Sequence, residues 1–306
     1  MPTLLDFRRR IRSVKNTQQI TRAMKFVAAA RLRRAQEAAL AARPYAVELA
    51  RVLRSTMARI ESPEHPLLAV RPENNILVIV LTGERGLAGA FNSNVLRKAH
   101  EFFRARPGKK ITTIPVGKKG RDSLRRAGFT FAAEYVNVLA RVDFKTAREI
   151  ANLVAELYVK EEIDSVYIVF SEFKTVMTPT LAVEKLLPVE SIRDEENESA
   201  VDRDGHDGHD AKKPGASQET PIDYIYEQPE EQILAKLLPR YVETQILRAM
   251  LESSAAEHAA RMTAMEAATN NANDVIEALT LHMNKVRQAA ITKEIIEIVS
   301  GASYGA

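Results

Sequence analysis

Residues 4–60 read LLDFRRRIRSVKNTQQITRAMKFVAAARLRRAQEAALAARPYAVELARVLRSTMARI, a stretch without glycine and with one interior proline, Pro44. Phe7, Val14, Thr21, Ala28, Ala35, Ala42 and Leu49 recur every seven residues. Ile11, Gln18, Lys25, Leu32, Ala39, Ala46 and Leu53 follow four behind. Alternating three- and four-residue spacing of this kind is the a/d seam of a coiled-coil helix. It predicts one long helix of roughly 80 Å, at a rise of about 1.5 Å per residue, with a kink at Pro44. Most seam residues are small, so a partner helix can approach closely. Gln18 and Lys25 are polar, which weakens the seam locally and fixes its register.

A matching stripe lies near the other end of the chain. Met262, Met265, Thr269, Ala272, Ile276, Leu279, Met283, Val286 and Ala290 follow the same spacing and predict a second long helix within 229–300. Pro239 is expected to interrupt it, with the helix restarting there. Two such stripes at opposite ends are buried most simply against each other as an antiparallel pair.

Between them strand and helix signals alternate. The pattern predicts strands at 76–81, 111–116 and 166–170, an edge strand at 180–187, and helices at 92–104, 121–127 and 145–162. The expected fold class is therefore α/β: a long antiparallel coiled coil of N- and C-terminal helices with a central Rossmann-like α/β domain. The divisions read as 1–60 (N-terminal coiled-coil helix), 70–190 (α/β domain), 191–221 (an acidic flexible loop) and 222–306 (C-terminal coiled-coil helix).

Composition narrows the function. The 306 residues are 45% hydrophobic and include no cysteine, which provides for a core and excludes disulfides, thiolate metal sites and cysteine nucleophiles. No apolar run approaches the ~20 residues of a membrane helix. The net charge is only +4, yet residues 1–60 hold fourteen Arg or Lys against Asp6, Glu37 and Glu48, whereas 190–220 hold ten acids against four bases. An Arg-rich start resembles a transit peptide, but the helical pattern runs on unbroken to about Arg59. It also suits nucleic-acid binding, although no aromatic platform or base-reading module accompanies it.

The motifs are weak. Thr82-Gly83-Glu84-Arg85-Gly86-Leu87-Ala88-Gly89 follows the first strand, but its glycines match neither the dinucleotide fingerprint nor a P-loop. It and Gly117-Lys118-Lys119-Gly120 read as tight turns, so no nucleotide cofactor is assigned. His206 and His209 with Asp207 and Asp210 lie in a polar segment without a preorganised second shell, and no metal is assigned. No catalytic constellation stands out.

Two stretches read as largely apolar around the helix, 23–30 apart from Lys25 and 289–299 apart from Thr292, Lys293, Glu294 and Glu297. A helix without a polar face is normally buried on all sides, and one partner helix covers a single stripe. The rest of that surface is expected to be covered by another protein.

The residues that carry this pattern resemble the gamma subunit of F-type ATP synthases. Arg8-Arg9-Arg10-Ile11-Arg12-Ser13-Val14-Lys15-Asn16-Thr17-Gln18-Gln19-Ile20-Thr21-Arg22-Ala23-Met24-Lys25 is similar to that family's opening helix. Arg261-Met262-Thr263-Ala264-Met265-Glu266-Ala267-Ala268-Thr269-Asn270-Asn271-Ala272 and Asn284-Lys285-Val286-Arg287-Gln288-Ala289-Ala290-Ile291-Thr292-Lys293-Glu294-Ile295 are similar to its closing helix. The resemblance covers about 1–190 and 222–306. The turn at 83–89 departs from it, having Ala88 where the family usually has cysteine, and the acidic segment is longer than expected.

The resemblance implies a non-catalytic rotor shaft, with catalysis on the beta subunits. Its implied partners are three alpha and three beta subunits, an epsilon subunit and the membrane c-ring, with no nucleic acid. Proton-driven c-ring rotation would be coupled through it to ATP synthesis or hydrolysis. Met24 and Arg261 match positions that face the beta lever region. Arg287, Gln288 and Thr292 match those that meet a beta catch loop, and Tyr224 and Tyr226 match the foot segment on the c-ring. Packing or a solvated face is the plain alternative for each. The implied location is peripheral, held through the c-ring rather than inserted. Because the helix starts directly after Met1, the cytoplasmic face of a bacterial inner membrane is expected. The competing readings are a basic coiled-coil nucleic-acid-binding protein and a nucleotide-binding enzyme using 83–89.

Overall fold

The computed structural model describes residues 3–59, 65–173, 179–189 and 229–304. The elements are α1 (Leu4–Arg59), a 3-10 turn (Pro66–Leu68), β1 (Asn75–Leu81), α2 (Phe91–Arg104), β2 (Lys110–Val116), α3 (Lys118–Arg126), β3 (Thr130–Phe131), α4 (Phe144–Val159), β4 (Ser165–Phe173), β5 (Pro179–Leu187) and α5 (Glu230–Tyr304). Among the described residues no helix is long and apolar enough to cross a membrane. They pack as two compact units, one of 1–31, 87–89 and 258–306 and the other of 32–86 and 90–257.

The larger unit is built on a five-stranded sheet in the order β3-β2-β1-β4-β5. β1 pairs in parallel with β2 and with β4, β2 with β3 in parallel, and β4 with β5 antiparallel. β1 reads NILVIVL and is buried on both sides from Ile76 onward, as expected of a central parallel strand. Its period-two alternation sorts the core. Ile76, Val78 and Val80 pack with Val95, Ala99, Phe102 and Phe103 of α2 and Leu124 of α3. Leu77, Ile79 and Leu81 face Ile150 and Val154 of α4, Leu49 and Leu53 of α1, and Leu238, Val242 and Ile246 of α5. Each such side chain contributes about 1.5–3 kcal/mol when fully buried.

The sheet and the long helices follow the sequence reading, with differences that have physical causes. The helix does not restart at Pro239, because α5 runs through that residue unbroken. Leu234 and Leu238 are buried before the proline and Tyr241 and Val242 after it, so packing on both sides holds the helix across one missing N–H bond. β3 and the 3-10 turn escape periodicity because they are too short to repeat a pattern. α3 begins at Lys118 rather than 121 because its first turn is bonded to the neighbouring strand end. The Gly120 N–H donates to Thr82 Oγ1 at 2.8 Å and the Lys119 N–H to the Gly83 carbonyl at 3.2 Å.

Gly117 makes that junction possible. It has φ +107°, and a Cβ there would lie 1.9 Å from the Thr82 carbonyl oxygen. Gly128 has φ +81° with nothing within 4 Å of such a Cβ, so a side chain there would meet backbone strain alone. Gly117→Ala should destabilise the chain by about 3 kcal/mol or more, against about 1 kcal/mol for Gly128→Ala. Urea unfolding of the two variants beside the parent measures the difference, and equal losses would contradict the close-approach account.

Candidate partner-binding surface of the helical pair

In the smaller unit α1 and α5 pair antiparallel. The Phe7 and His282 rings lie 5.0 Å apart, Gln18 Nε2 donates to Asn273 Oδ1, Thr21 and Thr269 hydroxyls meet at 2.8 Å, and Lys25 Nζ meets Glu266 Oε1 at 2.5 Å. Each step forward on α1 is thus met by a step back on α5. Gln18 and Lys25, the polar seam positions, each hold a cross-helix bond. Directional bonds at fixed heights along the pair select one register. Phe7, Thr21, Ala28, Met265 and Ala272 are buried, and the remaining seam residues of this unit are half-buried.

The turn at 87–89 belongs to the same unit. A Cβ on Gly89 would meet Ala264 Cβ at 3.7 Å, so this turn packs on the small-residue face of α5. In the larger unit a backbone donor of each turn is engaged by a side chain. The Gly83 N–H donates to Asn92 Oδ1 at 2.7 Å and the Lys118 N–H to Glu84 Oε2 at 3.1 Å. These turns serve strand-to-helix packing, as their spacing implied.

What the pair leaves uncovered is apolar. Ile20, Phe26 and Val27 on α1 are exposed, Phe26 to 62%, and so are Leu281, Ile291, Ile295, Ile296 and Ile298 on α5, Ile298 to 71%. The observed register brings Phe7 opposite His282, so beyond about Val286 no described residue of α1 lies opposite α5. Single exposed apolar side chains are ordinary, but a helix end presenting several is an interaction surface. Arg8, Arg9, Arg10, Arg12 and Lys15 are exposed on α1 along the same unit, which adds a positive field to that surface.

Each sequence-selected residue has a definite place. Met24 is half-buried beside Lys25 on α1. Arg261 is half-buried, with Nη1 3.3 Å from His258 Nδ1. Arg287, Gln288 and Thr292 are exposed on the part of α5 that outruns α1, and the Thr292 hydroxyl donates to the Gln288 carbonyl at 2.9 Å. The three therefore form one local group, one turn apart and separate from Met24 and Arg261. Tyr224, Tyr226, His206, His209 and the acidic segment 191–221 lie outside the described residues.

Sequence reasoning missed His258. It is 6% exposed, and its pKa is pushed down to about 4, first by burial and then by repulsion from Arg261 and Arg31. Only the three-residue spacing from His258 to Arg261 hinted at it, because Arg31 arrives from the other helix.

Comparison with known proteins adds to this geometry. A family model described as ATP synthase matches residues 3–303. The ATP synthase gamma chain of Solibacter usitatus is 47% identical over 307 residues, covering 99% of each chain. That of Pelotomaculum thermopropionicum is 46% identical over 303 residues with the same coverage. That of Chlorobaculum parvum is 43% identical over 308 residues, 99% of this chain and 98% of the relative. The similarity thus spans nearly the whole of this chain and of each relative. A chain of the Euglena gracilis mitochondrial ATP synthase structure containing OSCP, F1 and the c-ring has the same fold, with a TM-score of 0.65 at 20% identity over 98% of this chain and 93% of that one. A chain of the rotor of the same enzyme gives 0.60 at 21%, covering 94% and 98%.

The buried histidine makes stability depend on pH. Its folded pKa of about 4 lies below the ordinary 6.5, so the unfolded chain binds the extra proton first as the pH falls. The contribution of neutral His258 is complete above about pH 6.5 and is lost toward pH 4, a total of about 3 kcal/mol. Urea unfolding of the full chain across that window should show this slope, and His258→Gln should flatten it. An unchanged slope in the variant would remove His258 as the cause.

Proposed function

The chain belongs to the ATP synthase gamma-chain family, and from that premise we propose how its residues serve the central stalk. As a gamma chain it is a non-catalytic subunit of a membrane-associated complex that makes or hydrolyses ATP, and ATP chemistry is left to other subunits. The observation that carries the residue-level reading is the uncovered upper part of α5. Ile291, Ile295, Ile296 and Ile298 are exposed on a helix that has outrun its intramolecular partner. A ring of alpha and beta subunits, three of each, is the occupant that the family implies for this surface.

In this reading α5 above Val286 stands within the ring cavity, and Arg287, Gln288 and Thr292 bond to a beta loop at successive shaft angles. Guanidinium and amide groups suit that task, since charge-assisted and multidentate bonds are strong yet reform in a new geometry. Buried hydrophobes alone would favour no particular partner atom. Met24 and Arg261 serve the lever region of beta lower on the pair, and the exposed arginines of α1 attract its acidic segments without one locked pose. Shaft angle and catalytic-site state are coupled because each angle offers each beta subunit different contacts.

The α/β domain (70–190) carries the torque toward the c-ring and epsilon, with Tyr224 and Tyr226 at the foot. The helical divisions 1–60 and 222–306 form the shaft, and 191–221 is an acidic segment before the second of them in sequence. The coupling ion in this reading is the proton. The location is the cytoplasmic face of a bacterial inner membrane, reached through the c-ring.

Two substitutions separate contact from packing. Gln288→Ala should leave the complex assembled and lower coupled ATP turnover roughly fivefold, the effect of about 1 kcal/mol lost from a bond made during the step. Ile295→Asp should instead reduce the yield of complex, because a carboxylate replaces a buried side chain. The measurements are affinity purification of tagged chain with quantification of alpha and beta, then ATP hydrolysis and synthesis in vesicles. Normal yield and turnover in both variants would mean that this part of α5 is not buried by a ring.

A further inference from the structure

Inside the larger unit, α5 is held to its neighbours by two ionic contacts that the family reading does not use. Arg248 Nη2 lies 2.6 Å from Glu184 Oε2 of β5, with side chains 18% and 9% exposed, and Arg248 Nη1 lies 4.0 Å from Glu252 one turn on. Glu243, buried, lies 3.3 Å from Arg148 Nε of α4 and 3.4 Å from Arg240 Nη1. Five residues apart, Glu243 and Arg248 project about 140° from each other around the helix. One therefore lies on either flank of the apolar stripe formed by Leu238, Val242, Ile246, Ala249 and Met250.

The two kinds of contact resist different motions. The apolar stripe holds α5 against the sheet, but its attraction is non-directional and does not by itself single out one roll angle. A roll of about 30° at an outer radius of about 6 Å carries a flanking group through roughly 3 Å, enough to break either ion pair. Pairs on both flanks oppose roll in both senses. Buried ion pairs contribute little net stability compared with apolar replacements, and their best-attested use is to fix one arrangement among several.

We propose that Glu184–Arg248 and Arg148–Glu243 are anti-roll pins. They fix the azimuth of α5 in the α/β domain, so that torque applied to the domain turns the helix instead of slipping past it. Arg248 and Glu243 are positioning residues, and the inference rests on the central-stalk reading.

The test uses the whole complex in vesicles. Glu184→Leu combined with Arg248→Met removes both charges and keeps side-chain volume, and Arg148→Gln combined with Glu243→Gln does the milder equivalent on the other flank. Complex yield, melting temperature, unloaded ATP hydrolysis, and ATP-driven proton pumping per ATP against a rising opposing gradient are measured. The expected result is unchanged yield, melting and unloaded hydrolysis with a loss of pumping per ATP under load, in both pairs. An unchanged pumping ratio in either pair overturns the proposal. Falls in melting temperature and pumping that track each other also overturn it, since they mark ordinary fold support. Failure of the parent chain to assemble or pump would instead overturn the central-stalk reading.

Discussion

The antiparallel seam between α1 and α5 is the constraint on which the smaller unit depends. It is narrow and unusually polar for a coiled coil: at successive levels it holds a glutamine, a threonine and a lysine from α1 against an asparagine, a threonine and a glutamate from α5. A seam of Leu and Ile would bind more tightly, since each such side chain buries about 1.5–3 kcal/mol. Cross-helix hydrogen bonds add to the apolar contacts of the pair at about 0.5–1.5 kcal/mol each. The outcome is a pair with one register.

The larger unit solves a different problem with the same two helices. Here α1 and α5 contribute large side chains, Leu49, Leu53, Leu238, Tyr241 and Ile246, to one face of a parallel-rich sheet whose other face is closed by α2 and α3. The seven-residue rhythm of α1 continues from one setting to the other, but the polar positions Gln18, Thr21 and Lys25 give way to alanines and then to Leu49 and Leu53. The loss of polar seam residues, rather than a change of period, accompanies the passage from a helix pair to a core.

That rhythm is why so much was legible. All fourteen seam positions read on α1, and all nine on α5, are buried or half-buried, because a period is a local property of sequence. β1 was equally plain, since the six consecutive apolar residues at 76–81 suit a strand buried on both faces. What stayed hidden depends on encounters between distant residues. Continuity through Pro239 rests on Leu234 and Tyr241 meeting the sheet, the state of His258 rests on Arg31 of the other helix, and Arg248 finds Glu184 across sixty-four positions. Arg287, Gln288 and Thr292 were found by family resemblance. On spacing alone they are three polar residues on an exposed helix, and nothing in the isolated chain distinguishes them from a solvated face.

The uncovered end of α5 has the energetics of a segment that folds for a partner. Ile291, Thr292, Ile295, Ile296, Ile298 and Val299 are β-branched, and each costs an isolated helix up to about 0.7 kcal/mol relative to alanine. Beyond Val286 fewer than twenty described residues remain, about the length at which a lone helix in water is marginal even for alanine-rich sequences. Local propensity therefore works against this helix rather than for it. The balance reverses on burial, where four isoleucines at about 1.5–3 kcal/mol each outweigh the combined propensity cost. β-branched side chains also lose little further rotamer freedom when packed, since the helix has already restricted them. Isoleucine at 291, 295, 296 and 298 thus suits this helix better to a covered setting than to water.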